Sequence, residues 1–215
     1  MNLDRIYEHR FRNVTPESRQ VVWNEIAQYM HERLGQPQVL LDPAAGLCEY
    51  INHAPSPERW AQDMNRAFLE KHAGKGIQLV VGDALKAELP ATHFDGVFVS
   101  NFLEHLNSQY EVADFLGKMH GHMKPGGRIA IMGPNFKYVF KNYFDFADHT
   151  VVLTEEAVVE HLIGAGFTVE HVHPRFLPFS FKGRLPVSRW LVRTFLRTPL
   201  AWRFLGKQFL LIARK

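Results

Sequence analysis

Apolar positions recur along the chain in two rhythms, and their alternation sets the expected fold. Thr15-Pro16-Glu17 reads as a helix start, with a hydroxyl cap, a proline in the first turn and an acid at the positive end of the dipole. Val22, Ile26, Tyr29 and Met30 then follow at helical spacing until Gly35. The short apolar run 38–42, QVLLD, predicts a buried strand. Further strands are expected at 59–63, 77–83, 94–101, 128–135, 167–173 and 207–215. Between them, helical stretches are predicted at 65–73, at 108–124 (stopped by Pro125-Gly126-Gly127) and from Thr154-Glu155-Glu156 to Gly164. No internal repeat or low-complexity tract interrupts this alternation.

Strands that alternate with helices imply parallel pairing in a doubly wound α/β sheet. The early strands are apolar with little alternation, as expected when helices cover both faces. Ligands of such sheets bind beyond the carboxyl ends of the strands, so the chemistry is sought there. The first strand ends at Asp42, followed by Ala44, Ala45 and Gly46, whose small side chains permit close approach to the backbone. The second ends at Asp63, at the separation from Asp42 that suits a carboxylate accepting both hydroxyls of a ribose. The third ends at Asp83-Ala84 and the fourth at Asn101, which precedes FLEHL. Each acid also has a plainer reading: Asp42 as a helix cap, Asp63 as a surface acid, Asp83 as a turn former.

These strand ends resemble the class I S-adenosylmethionine-dependent methyltransferases. VLLDPAAG, WAQDMN, VVGDALKAELPATHFDGVFVSNFLEHL and MKPGGRIAIMGPN carry the resemblance, which spans residues 38–173 and the last strand. It implies a seven-stranded sheet in the order 3-2-1-4-5-7-6 with the last strand antiparallel, and S-adenosyl-L-methionine as cofactor. By position, Asp42 and Ala44–Gly46 would face the methionine part and Asp63 the ribose. Met64 would lie against the adenine, Asp83 would accept from its amino group and Ala84 would supply a backbone contact. Asn101 would sit near the reacting methyl group. The family's D-x-G-x-G-x-G turn is here Asp42-Pro43-Ala44-Ala45-Gly46-Leu47-Cys48, keeping only the middle glycine.

Composition then narrows the class. An apolar share of 46% and a charged share of 22% over 215 residues describe globular material of one domain, or one domain with an appendage. A single cysteine, Cys48, excludes a disulfide framework and reads as a small buried residue. The polar start predicts no signal peptide, and no apolar run is long enough to span a membrane. Localisation is expected to be cytoplasmic, with contact at the inner face of the membrane. No metal is assigned: the pairs His120/His122 and His171/His173 lack a third ligand at clear spacing. His105 and His149 lie near the acceptor mouth, and either, or neither, would be a general base for a hydroxyl.

Charge is unevenly distributed. All 22 acids lie at or before Glu170 and ten of the 25 basic residues after it, so residues 1–170 carry −7 and residues 171–215 carry +10. The basic part includes an insertion, 174–206, before the last strand. The expected organisation is thus an N-terminal helical region (1–36), a core (37–173), the insertion, and a final core strand (207–215). A helix is expected from Pro186-Val187-Ser188 to Thr198, with Arg189, Arg193 and Arg197 on one face and Trp190, Leu191, Val192, Phe195 and Leu196 as its apolar surface. A basic, aromatic, amphipathic helix reads as membrane-surface binding through residues 185–206; the alternative is a lid whose arginines pair with the acidic part of the chain. Nucleic acid is disfavoured, because the stripe is strongly apolar. A membrane-lying lid suggests a saccharide or lipid-linked glycan acceptor. GPNFKYV, DFADHTVVLT and RFLPFSFKGRLP resemble methyltransferases of polysaccharide assembly, with Asn135, Tyr138 and Arg175 as acceptor contacts and Lys182 beside Arg175 for a phosphate. The altered glycine turn also motivates a non-catalytic assembly partner on the same fold. A nicotinamide oxidoreductase ranks last, since no G-x-G-x-x-G follows the first strand.

Overall fold

The computed structural model describes residues 15–179 and 188–215, together with Ile6. Lys182, Arg184 and the Pro186-Val187 helix start lie outside these residues, as does nearly all of 1–14.

Helix α1 (Pro16–Arg33) begins where expected, with the Thr15 hydroxyl accepting from the Ser18 amide. The elements β1 (Val39–Asp42), α2 (Glu49–His53), β2 (Glu58–Asp63), α3 (Arg66–His72), β3 (Ile77–Val81) and β4 (Phe94–Ser100) follow. Then come α4 (Gln109–His122), β5 (Met123–Pro134), the short α5 (Phe136–Val139), α6 (Glu155–Gly164) and β6 (Thr168–His173). The insertion supplies α7 (Arg189–Leu196) and α8 (Pro199–Leu205) before β7 (Gln208–Arg214).

The strands form one sheet in the order β3-β2-β1-β4-β5-β7-β6. Neighbours from β3 to β5 are parallel, and β7 runs antiparallel to both β5 and β6. Side chains alternate between two buried layers. Val97, Val99, Ile129 and Ile131 meet Phe115, Leu116 and Met119 of α4 and Val158 and Leu162 of α6. Phe98, Ala130, Leu210 and Ile212 meet Ile26 and Met30 of α1, Ile51 of α2 and Leu69 of α3. The interior strands therefore read as apolar runs, as buried parallel strands should. The edge strand β3 instead leaves Leu79 and Val81 exposed.

Two boundaries differ from expectation. Pro125-Gly126-Gly127 does not merely stop α4; it lies inside β5, where Met123 pairs with Phe94 ahead of a register shift. The inserted helix starts at Arg189, with Ser188 as its cap, and ends at Leu196.

The insertion is closed at its base. The Phe176 amide donates to the Gln208 carbonyl and the Lys207 amide to the Leu177 carbonyl, at 2.6 and 2.7 Å. Gly206 makes this possible, because a Cβ there would meet the Trp202 carbonyl and the Phe176 amide at 2.6 and 2.7 Å. The arginine row pairs with acids of α1. Arg189 and Arg193 each reach Glu25 of α1 at 2.8 Å, and Arg197 reaches Glu32 at 2.7 Å. Burial alone would raise the Glu25 carboxyl, but hydrogen bonds from Arg193 and Arg189 outweigh it and hold the carboxyl below its ordinary value. This corrects the basic stripe as a membrane-facing surface. The arginines dock the insertion on α1, while Trp190, Leu200, Phe204 and Leu205 face outward.

Candidate functional site

The carboxyl ends of β1, β2 and β3 are tied together by their own turns. After Asp42 the chain turns sharply, and the Ala45 amide donates to the Gln62 carbonyl at 2.9 Å. The next amide, Gly46, donates to Asp63 Oδ2 at 2.8 Å, and Asp63 Oδ1 accepts from the Asn65 amide at 2.8 Å. The Gly82 amide closes on the Asp63 carbonyl at 3.0 Å, which brings Asp83 alongside. Asp83 Oδ1 in turn accepts from the Leu85 amide at 2.7 Å. The structure therefore gathers Asp42, Asp63 and Asp83 along one edge, with Ala84 buried beside them and Met64 standing out, 66% exposed.

The altered turn keeps its shape at a cost. Ala44 and Ala45 avoid the left-handed region, Gly46 takes φ +50° without penalty, and Cys48 takes φ +55° in the last glycine slot. A non-glycine residue there costs roughly 1–2 kcal/mol. Burial, reinforced by the Asp42 and Asp63 charges, pushes the Cys48 thiol up to about 12, so it is a poor nucleophile.

Beyond β4, Asn101 also adopts a left-handed φ of +48°; its amide is held by the Met132 carbonyl at 2.8 Å. A 3-10 turn over Leu103–His105 follows. His105 Nδ1 lies 2.8 Å from the Asp148 carbonyl, and its ring centroid is 5.2 Å from that of His149. His149 stacks on Phe146 and meets the edge of Tyr143. The two imidazoles singled out in the sequence are thus brought together.

Residues 35–131 match the family described as methyltransferase domain. Among solved structures, a SAM-dependent methyltransferase from Archaeoglobus fulgidus is 23% identical over 98% of both chains, with a TM-score of 0.68. One from Mesorhizobium loti is 18% identical over 88% of this chain and 98% of its own, with a TM-score of 0.61. Among curated proteins no sequence matches.

Residues 35–131 carry a methyltransferase domain.

The cofactor of this methyltransferase is S-adenosyl-L-methionine, and the residues at the sheet edge fit it. Asp42 is a buried carboxyl group, 5% exposed. Beside it, Tyr50 Oη and Gln62 Oε1 are buried without a hydrogen-bond partner among the described residues, a cost that a polar ligand would relieve. Neither Tyr50, in α2, nor Gln62, in β2, stood out in the sequence.

Burial pushes the Asp42 carboxyl up to about 8, with the Ala44 amide opposing and the Asp63 charge adding. Asp42 of the free methyltransferase therefore keeps its proton below about pH 8, whereas a cationic cofactor favours the carboxylate. Affinity for S-adenosylmethionine is expected to rise from pH 6 to 8, approaching tenfold per pH unit, and then to flatten. Calorimetry across this range checks it, and Asp42→Asn should abolish the slope.

The expected acceptor contacts divide. Asn135 is fully buried; it caps α5 and donates to Glu155 Oε2 and the Pro174 carbonyl at 2.6 and 2.9 Å. Its polar atoms are spent on the scaffold, which removes it as an acceptor contact. Tyr138 and Arg175 do meet, with the guanidinium 4.1 Å from the ring centroid. Arg175 also donates to the Arg203 carbonyl, linking this pair to the insertion.

Proposed function

We propose that this methyltransferase transfers its methyl group to an oxygen of a saccharide or lipid-linked glycan presented at a membrane surface. The observation that carries the oxygen reading is the pairing of His105 and His149 at the end of β4, where an acceptor would approach. When bound, the cofactor supplies a methyl group on a sulfonium, whose transfer is an in-line displacement governed mainly by alignment. In this reading Asp63 holds the ribose hydroxyls, Met64 covers the adenine, and Asp83 and the Ala84 backbone receive its polar edge. Asp42, Ala44, Ala45 and Gly46 receive the methionine end, and Asn101 borders the methyl group. His105 or His149 serves as the general base for the acceptor hydroxyl, and Tyr138 with Arg175 contacts the remainder of the acceptor.

The membrane part now rests on a different surface from the arginine row. Trp190 (73% exposed), Leu200 (66%), Phe204 (73%) and Leu205 (59%) present apolar and aromatic groups outward from α7 and α8. Aromatic and aliphatic groups of this kind insert at the headgroup boundary. No helix among the described residues is long and apolar enough to cross a membrane.

Incubation with a labelled methyl donor and fractionated lipids and glycans tests the acceptor. Label in an alkali-stable ether on a sugar is the expected product, and label confined to amines would overturn the oxygen reading. Flotation with anionic vesicles tests the surface. The protein is expected to float, and Trp190→Ser/Phe204→Ser to remain at the bottom of the gradient. Absence of flotation by the unaltered protein would reject membrane contact.

A further inference from the structure

Glu104, His105 and His149 each present one donor atom such that the three lie within 4.8 Å of one another. We infer that these residues form a divalent transition-metal site, of the zinc-binding class, beside the methyl-transfer position.

The arrangement is built by the backbone. The Glu104 carbonyl accepts from the Thr150 and Val151 amides at 2.9 and 3.1 Å, and from the Thr150 hydroxyl at 3.2 Å. The same hydroxyl also donates to the Leu106 carbonyl. These bonds clamp the loop carrying His149 onto the turn carrying Glu104 and His105, which fixes the spacing of three side chains drawn from two distant segments. Bonds of about 2.1 Å in a tetrahedron place ligand atoms roughly 3.4 Å apart. Small side-chain rotations therefore complete the site.

The chemistry of the set is specific. Two imidazoles and a carboxylate suit zinc and its neighbours rather than magnesium or calcium, which prefer oxygen. His105 has the outer contact such a ligand needs. Its Nδ1 is positioned to donate to the Asp148 carbonyl at 2.8 Å, which leaves Nε2 as the lone-pair nitrogen and fixes the ring. Glu104 is only 2% exposed.

Three protein ligands leave a coordination position open. The role assigned to that position rests on the oxygen-acceptor reading above; the binding itself does not. An acceptor hydroxyl placed there would lose its proton to solvent more readily. Its oxygen then forms the bond to the methyl carbon as the carbon–sulfur bond breaks, with the electron pair staying on sulfur as a neutral thioether. His105 and His149 act here by holding the ion rather than as free bases.

Chelator-stripped protein is titrated with zinc ion alone by calorimetry, and with cobalt(II) by visible absorption. One tight equivalent and a low-coordinate cobalt spectrum are expected. Glu104→Gln and His149→Ala should each weaken zinc by about a hundredfold, the upper end of what even outer-shell changes produce, whereas His171→Ala should leave it unchanged. Affinity for S-adenosylhomocysteine reports folding of every variant. If the buried Glu104→Gln loses it, His149→Ala and His105→Ala decide the outcome. No tight zinc binding, or binding unchanged in these variants, overturns the site. O-methyl product formed equally well by metal-free protein overturns the metal's role alone. Zinc bound at these residues with label found only on nitrogen overturns the oxygen reading alone.

Discussion

Asp63→Ala is expected to weaken S-adenosylhomocysteine binding at least a hundredfold. Both carboxylate oxygens are held by backbone amides, Gly46 on one side and Asn65 on the other, at 2.8 Å each. That leaves lone pairs directed away from the backbone for a ligand's hydroxyls. Hydrogen bonds to a charged group contribute about 1.5–3 kcal/mol each. Losing two corresponds to roughly 10²–10⁴ in Kd. The substitution also frees the Gly46 amide, so the turn after β1 loses its tether to β2. Asp63→Asn should be nearly as damaging, because its amide group would set a donor against one of the two N–H groups. Calorimetry with the product avoids turnover and separates affinity from chemistry. Unchanged affinity in Asp63→Ala would sink the ribose assignment and leave the carboxylate as a local cap.

Trp202→Ala is expected to cost about 3–5 kcal/mol of stability, the range for deleting a large buried aromatic. The indole is 3% exposed and packs edge-on to Tyr29, His173 and Phe176, with centroids 6.4, 5.1 and 5.0 Å away. Its Nε1 donates to the Phe195 carbonyl at 2.7 Å, joining α8 to α7. The residue therefore pins the insertion to α1 and to the end of β6. Arg197→Ala provides the contrast: its pair with Glu32 is more than half exposed on both sides, so its loss should cost no more than about 1 kcal/mol. Denaturant midpoints measure the difference, and hydrogen exchange locates it. Loss of protection confined to α7, α8 and the facing side of α1 would mean that the insertion undocks before the domain unfolds. A Trp202→Ala cost below that of Arg197→Ala would show that the arginines, not the aromatic cluster, hold it.

Strands β1 and β4 were legible because burial on both faces leaves an apolar run, and this pattern survives without knowledge of partners. Helix α2 was not, since it has five residues and no side-chain cap, and starts from Cys48 in a left-handed conformation. Continuation of β5 through Pro125-Gly126-Gly127 was also hidden. Those residues resist strand on local grounds and bridge the register shift between Met123 and Arg128, where the Gly126 amide donates to the Lys215 carbonyl and the Lys215 amide to the Gly127 carbonyl. At the site, the carboxylates could be found by position, but their environment could not. Asn135 looked available and is consumed as a cap. Glu104 sat in plain view before His105, yet its proximity to His149 depends on a clamp between distant segments. The arginine row was visible as a row, but its direction was not. Glu25, which receives two of its members, lies 164 and 168 positions away.

Because β7 lies between β5 and β6, the sheet has a vacant lane until residues 208–214 are made. On the ribosome, a nascent chain that has already emitted β6 must keep two unpaired strand borders and a bare apolar surface from sticking to neighbours. Synthesis of this protein should therefore lean on chaperones late, and ribosomes stalled just before Gln208 should hold a chain that proteases cut freely.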